Sequence, residues 1–303
     1  REPVMNPIFS RTFKALCAIA VAGVLTACGS SSTVDPFKPT RVIALGDGYN
    51  DPTYTVTGTT DVALTVAQQV AVLFGLPVSS VTSYAEGDAL ITTPNSVHAD
   101  LTAAASLTTQ IGTAITSAGG GFSSGDLIVI SIGTRDIISG VTATSAAAAL
   151  KTQVERLLNA NARHVLIMQP LELTKTPYVR GNSSRTTSYT GKTVEFINYV
   201  DSALHDLVSH GGYATNPVIY GGTFLSSDFN LYTSNTTASD FSTSTQNPAC
   251  TLALTTDVLG GCLVGAANTS YATMLFADDI NLTPAGNRWV AQRMYNATAQ
   301  GWR

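Results

Sequence analysis

Charge is what this chain has least of: only 12% of its 303 residues are Asp, Glu, Lys or Arg, and the formal net charge is −4. It holds no basic patch and no arginine-rich run, so the electrostatic footprint of nucleic-acid binding is missing and no nucleic acid partner is expected. Long apolar runs are missing as well. The stretch Ala15–Leu25 is about eleven residues, too short to span a bilayer permanently. Cysteine is scarce, at four residues. The C-terminal pair, Cys250 and Cys262, has no histidine close by and a spacing that suits a metal poorly, so no metal or other cofactor is expected. No internal repeat is visible. What the chain does have is 44% hydrophobic residues, ample for a sizeable core in one large α/β domain or two small ones.

The first residues read as a targeting segment rather than a fold element. Arg11 and Lys14 form a positive n-region, Ala15–Leu25 an apolar h-region, and Leu25-Thr26-Ala27-Cys28 resembles the lipobox of bacterial lipoproteins. Met5 reads as the start, with Arg1–Val4 an upstream remnant. The expectation is a signal peptide over residues 1–27, cleavage before Cys28 and lipidation of its thiol; the alternative is an ordinary secretory signal with an incidental cysteine. Gly29 and Ser30 follow with no aspartate to suggest inner-membrane retention, which favours a lipid anchor in the outer membrane, facing the periplasm. Residues 28–40 then form a short flexible tether. Cleavage removes Arg1, Glu2, Arg11 and Lys14, leaving 13 basic and 19 acidic residues and a formal net charge of −6. Cys17 leaves with the signal and Cys28 takes the lipid. Cys250 and Cys262 remain as a pair in an oxidising compartment, where a disulfide is favoured over two free thiols.

Downstream, apolar strand-like runs alternate with helical periodicity, the pattern of a parallel sheet covered by helices. Arg41–Leu45, Val81–Tyr84, Asp126–Ile132, His164–Met168 and Pro217–Tyr220 read as strands. Asp61–Phe74 (N-cap Thr60, stop at Gly75), Leu107–Ala118, Ser145–Asn159 and Thr193–Ser209 read as helices. Thr283-Pro284 opens a last helix reaching about Thr298, with proline at the first helical position, where its missing N–H does no harm. Two segments rich in Ser, Thr and Asn, Thr174–Gly191 and Thr223–Cys250, follow strands. They read as loops over the strand ends, where an open α/β sheet binds ligands, or as plain variable surface loops.

Three short stretches carry the chemistry. Residues Ala44 to Asp51 read A-L-G-D-G-Y-N-D after a strand; Gly133-Thr134-Arg135-Asp136 follows another; Asp278-Asp279-Ile280-Asn281-Leu282-Thr283-Pro284 lies near the C-terminus. Together they resemble blocks I, III and V of the SGNH/GDSL hydrolase family, and Tyr84-Ala85-Glu86-Gly87-Asp88-Ala89 resembles its block II. Leu157–Pro170 followed by Pro177 is similar to the family's helix-strand-proline stretch, and the paired cysteines ahead of block V resemble its phospholipase and autotransporter-esterase branch. The resemblance covers residues 41–303. It implies a three-layer α/β/α sandwich with a mainly parallel sheet, flavodoxin-like, and ester hydrolysis by a serine, a histidine, an aspartate and an oxyanion hole.

Residue by residue, that machinery is mostly replaced. The serine position is Gly48, the block III asparagine is Arg135 and the block V histidine is Asn281; Gly87 of the oxyanion hole and Asp278 remain. Glycine has no side chain to attack an ester, and an amide does not take up a proton near neutral pH. His98 follows block II and is the one histidine that could reach the site from a loop. His164 opens a strand at the opposite end of the sheet, and His205 and His210 end a helix. In serine hydrolases the loss of nucleophile or base costs on the order of 10⁶ in kcat. The leading expectation is therefore a non-catalytic envelope lipoprotein binding an acyl, glycan or protein partner in a residual cleft. The alternatives are an esterase or lipase with an unrecognised nucleophile, and a structural lipoprotein with a closed cleft. Asp47, Asp51, Asp136, Asp278 and Asp279 should crowd one edge with Arg135, which is either paired with Asp278, turned outward to grip an anion, or simply solvated on a rim loop.

Overall fold

Five parallel strands in the order β2-β1-β3-β4-β5 carry the molecule: β1 (Arg41–Gly46), β2 (Val81–Ser83), β3 (Asp126–Ser131), β4 (Val165–Met168) and β5 (Val218–Tyr220). Leu127, Val129 and Ile167 are wholly buried, as strands covered on both faces require. The computed structural model describes residues 37–54, 64–93, 104–249 and 271–302, all within the compact unit Phe37–Trp302. The signal segment, the Cys28 anchor, His98 and the Cys250–Cys262 pair lie outside the described residues.

Alternate side chains of each strand feed two separate cores, one on each face of the sheet. On one face, Ile43, Leu45, Ile128, Ile130 and Ile167 pack with α2 (Leu107–Ser117), α4 (Ala143–Asn159) and α7 (Lys192–His210). On the other, Val42, Ala44, Val129, Leu166 and Met168 pack with α1 (Val66–Leu73), α8 (Gly222–Ser234, through Phe229) and α9 (Pro284–Gly301). Each such Val, Leu or Ile contributes roughly 1.5–3 kcal/mol by leaving water. The result is the expected three-layer α/β/α sandwich. Between α2 and α9 in the chain lie three shorter helices, α3 (Thr134–Ile138), α5 (Pro177–Arg180) and α6 (Ser183–Tyr189), and a second small sheet in which β6 (Ser244–Pro248) pairs in parallel with β7 (Met274–Phe276).

Three expectations need correction. The first helix starts at Val66 rather than Asp61, because Thr65 and Gln68 form a reciprocal capping box: Gln68 N–H donates to Thr65 Oγ1 at 3.2 Å and Thr65 N–H to Gln68 Oε1 at 2.9 Å. Thr174–Gly191 is not a loop. It contains α5, opened by Pro177, and α6, whose N-cap Asn182 accepts from the N–H groups of Ser184 and Arg185. Thr223–Cys250 likewise contains most of α8 and all of β6. Other element ends move by only one or two residues, apart from the last helix, which runs on to Gly301.

Candidate functional site

The C-terminal ends of β1, β2 and β3 converge with the turn that precedes α9, and backbone geometry fixes that convergence. Gly46 ends β1 at φ +111°, and a Cβ there would sit 1.7 Å from the Ser131 carbonyl oxygen. Only glycine lets β1 turn this close to β3. Gln110 of α2 then clamps the turn from below, its Oε1 accepting from Gly46 N–H at 2.7 Å and its Nε2 donating to Gly46 O at 2.9 Å. Gly133 opens α3 at φ +110°, where a Cβ would strike the Phe196 ring at 2.5 Å.

Inside this frame the motif residues bond to one another. Asn50, fully buried, donates to the carbonyls of Leu45 (3.0 Å) and Val129 (3.2 Å) and accepts from Ala67 N–H (3.0 Å), tying β1, β3 and α1 together. Tyr49 donates its hydroxyl to Ile280 O at 3.0 Å, joining the block I turn to the block V turn across 231 positions of sequence. Asp278 Oδ1 accepts from the N–H groups of Ile280 (2.8 Å) and Asn281 (2.6 Å), and its Oδ2 from Asn281 Nδ2 at 2.7 Å. The amide of Asn281 thus holds the Asp278 oxygen that an orienting aspartate would offer to an imidazole N–H.

Two further family positions are satisfied internally. Gly87 N–H, which the resemblance makes an oxyanion donor, points at Asp51 Oδ2 from 2.7 Å; Asp51 Oδ1 accepts from both the N–H and the hydroxyl of Thr53. Arg135 is 2% exposed and places Nε 2.9 Å from Asp88 Oδ1, so its ion-pair partner is Asp88 of block II and not Asp278. Asp88 sits at φ +64°, a left-handed conformation that aspartate tolerates better than most residues, and is itself 5% exposed. Asp51, Asp136 and Asn281 are buried as well. The acidic edge anticipated from sequence is therefore an interior network, and Asp279 alone among those residues is half-buried.

Burial dominates the electrostatics. It pushes the Asp47 carboxyl up to about 7, against the opposing pull of the Ser131 hydroxyl, Arg135 and the Tyr49 N–H, with Asp136 adding repulsion. It pushes Asp136 up to about 6, while Ile91 N–H, 3.1 Å from Asp136 Oδ1, favours the ionised form. Asp279 is raised by desolvation and by neighbouring Asp278, with Arg185 countering. Arg185 lies over the Tyr178 ring at 3.9 Å and donates to Tyr178 O, whose own N–H donates to Asp279 O. No sequence motif marks this second cation beside block V.

The described histidines sit elsewhere. His164 stacks on Phe37 at 3.4 Å and meets Trp302 edge-on at the N-terminal end of β4, where burial lowers its pKa. His205 and His210 are exposed on α7; His210 pairs with Asp206, and the Ser209 hydroxyl beside His205 donates to that residue's own carbonyl. Among the described residues no group of His, Cys, Asp and Glu is arranged to hold a metal ion.

A cavity of about 290 Å³ adjoins α3, lined by Ile137, Ile138, Val141, Tyr189, Lys192 and Phe196 among others. It touches the block III helix but none of the degenerate catalytic positions. No family motif assigns a role to Asp88, Asn50 or Gln110. Asn50 and Asp88 lie inside quoted motifs, whereas Gln110 is a polar residue on the buried face of an amphipathic helix, the one signal that could have marked it.

The chain belongs to the GDSL-like lipase/acylhydrolase family, whose model matches residues 32–294. No curated protein matches it. Solved structures similar to it include Est24, a carbohydrate acetylesterase from Sinorhizobium meliloti, at 14% identity and TM-score 0.47 over 86% of this chain and 99% of that one. A putative arylesterase from Agrobacterium tumefaciens shows 13% identity and TM-score 0.46 over 86% and 99%. A member of the lipolytic G-D-S-L family from Veillonella parvula shows 14% identity and TM-score 0.44 over 84% and 94%.

Proposed function

We propose that this chain is a non-catalytic GDSL-family protein of the bacterial cell envelope, held at the outer membrane through Cys28, that binds a small ligand rather than hydrolysing an ester. One observation carries the reading: Asn281 Nδ2 donates to Asp278 Oδ2 at 2.7 Å, so the position of the base is filled by a group that cannot take a proton, while Gly48 offers no nucleophile. The engagement of Gly87 N–H by Asp51 supports it, since a donor already bonded to a carboxylate is not aimed at a developing oxyanion.

A second reading, an esterase with a different nucleophile, has one observation in its favour. The Ser131 hydroxyl neighbours Asp47, a carboxyl whose pKa of about 7 suits a general base. Ser131 is 1% exposed, however, and a substrate carbonyl has no route to that oxygen in this conformation. The two readings separate on purified protein supplied with p-nitrophenyl acetate and p-nitrophenyl butyrate. The proposal expects hydrolysis at the buffer rate; saturable turnover abolished by Ser131→Ala would establish the second reading instead.

A further inference from the structure

The chain enters the folded unit at the N-terminal edge of the sheet. Phe37, the first described residue, stacks on His164 just ahead of β4 with ring centroids 3.4 Å apart, and meets Phe74 and Trp302 edge-on. Thr40 N–H then donates to Gly125 O at 2.8 Å, immediately before β3. These contacts fix where the tether begins. Cys28 lies nine residues before Phe37, and a fully extended chain covers at most about 30 Å over that distance. The six residues of β1 already span about 20 Å, so the opposite edge could face a bilayer only with the tether drawn out along the whole sheet.

The surface of this edge is apolar and basic. The last turn of α1 and the turn leading into β2 leave Val72 45% exposed and Pro77 exposed, with Phe74, Leu76 and Val78 half-buried beside them. At the strand starts and in the described segments leading into them, the charged residues are Lys38, Arg41, Asp126 and Arg163. Asp126 is 3% exposed and accepts from Arg41 Nη2 at 2.7 Å, so those two charges cancel. Lys38 and Arg163 are exposed and have no carboxylate partner among the described residues; Arg163 donates to Asn161 Oδ1 and Ala162 O. The opposite edge holds the acidic network around Asp278 and the exposed Glu86. A negative surface within a Debye length therefore attracts the first edge and repels the second.

We infer that the N-terminal edge of the sheet is a docking face for an anionic phospholipid surface, with Val72, Pro77 and Leu76 against the head groups and Lys38 and Arg163 on their phosphates. The degenerate site at the opposite strand ends then points away from the bilayer. The inference rests on the lipid-anchor reading above, which brings this face within reach of the membrane without choosing its orientation.

Acylation of lysines by N-hydroxysulfosuccinimidyl acetate, which does not cross membranes, tests it on the native lipidated protein when read by mass spectrometry. Lys38 reports the docking face, and Lys192, 57% exposed at the start of α7, reports the other end of the sheet. On vesicles of phosphatidylcholine and phosphatidylglycerol, Lys38 is expected to react about fivefold more slowly than in neutral detergent, the population shift that one cation at an anionic surface confers. Lys192 should keep its rate. Pro77→Asp combined with Arg163→Glu should return Lys38 to its detergent rate; both positions are exposed, and Asp suits the cap position that Pro77 holds. Lys38 as reactive on vesicles as in detergent, slowing of Lys192 in its place, or a Lys38 still slowed in the double variant would overturn the docking face. Should the double variant misfold, the ratio of the two lysines in the parent decides. Flotation of the same vesicles reads the anchor separately: protein that does not float sinks the lipid-anchor reading and this face with it, whereas floating protein with an unprotected Lys38 sinks the docking face alone.

Discussion

Removal of the Arg135 guanidinium should be among the most damaging single truncations at the degenerate site. Arg135 is 2% exposed and Asp88 5%, with Nε 2.9 Å from Oδ1. Arg135→Ala would remove the cation 2.9 Å from buried Asp88, and breaking one partner of a buried pair typically costs about 3–5 kcal/mol. For a unit of this length that corresponds to a fall in melting temperature of about 5–9 °C. Thermal unfolding followed by circular dichroism measures it, with urea titration giving the free energy directly. The neutral double variant Arg135→Met with Asp88→Asn should recover most of the loss, because replacing both charges removes the desolvation penalty as well as the attraction, and Asn tolerates the left-handed backbone at this position. The coupling between the two substitutions should exceed about 1 kcal/mol in a double-mutant cycle. An Arg135→Ala protein that melts within about 2 °C of the parent would refute the reasoning and return Arg135 to the status of a cation without a structural task.

Four more outcomes can be measured, the first two from the same geometry and the last two from the sequence. Asp47 and Asp136 have folded-state pKa values raised to about 7 and about 6 from 3.8, so the folded protein holds their protons more tightly than the unfolded chain, and stability should fall as pH rises from about 4 to about 7 and then level off; Asp47→Asn should flatten that slope in melts at successive pH values. Gln110→Leu should destabilise by about 1–3 kcal/mol in urea unfolding, because it leaves the N–H of Gly46 buried without its Gln110 acceptor and its C=O with the Glu86 N–H alone. For the envelope reading, Cys28→Ser should move the protein from the membrane to the soluble fraction, and non-reducing peptide mapping should recover Cys250 linked to Cys262, a bridge worth about 3 kcal/mol by loop entropy.

The sheet was legible because its strands are short apolar runs with nothing else to become. D-L-I-V-I-S-I between Gly125 and Gly133 has too few residues for a helix of ordinary length and is buried throughout. The polar segments were less legible for an equally physical reason: α6 buries none of its residues and owes its start to the Asn182 cap, so it has no apolar stripe to announce it. Thr65 with Gln68 was a readable capping box that the more N-terminal Thr60 obscured. At the site, the loss of the nucleophile and the base could be read directly, since identity alone decides whether Gly48 or Asn281 can act. What the replacements bond to could not. The pairing of Arg135 with Asp88 depends on how the turn after β2 meets α3, and Asp51 reaches Gly87 only because Glu86 N–H extends the β1–β2 edge by bonding to Gly46 O.

The central claim is that no serine in this protein is activated for attack on an acyl group. Incubation of the purified protein with an excess of a fluorophosphonate probe, followed by intact-mass spectrometry, tests it most directly. The account predicts an unshifted mass, and stoichiometric addition of one phosphonyl group, mapped to any serine, would contradict it.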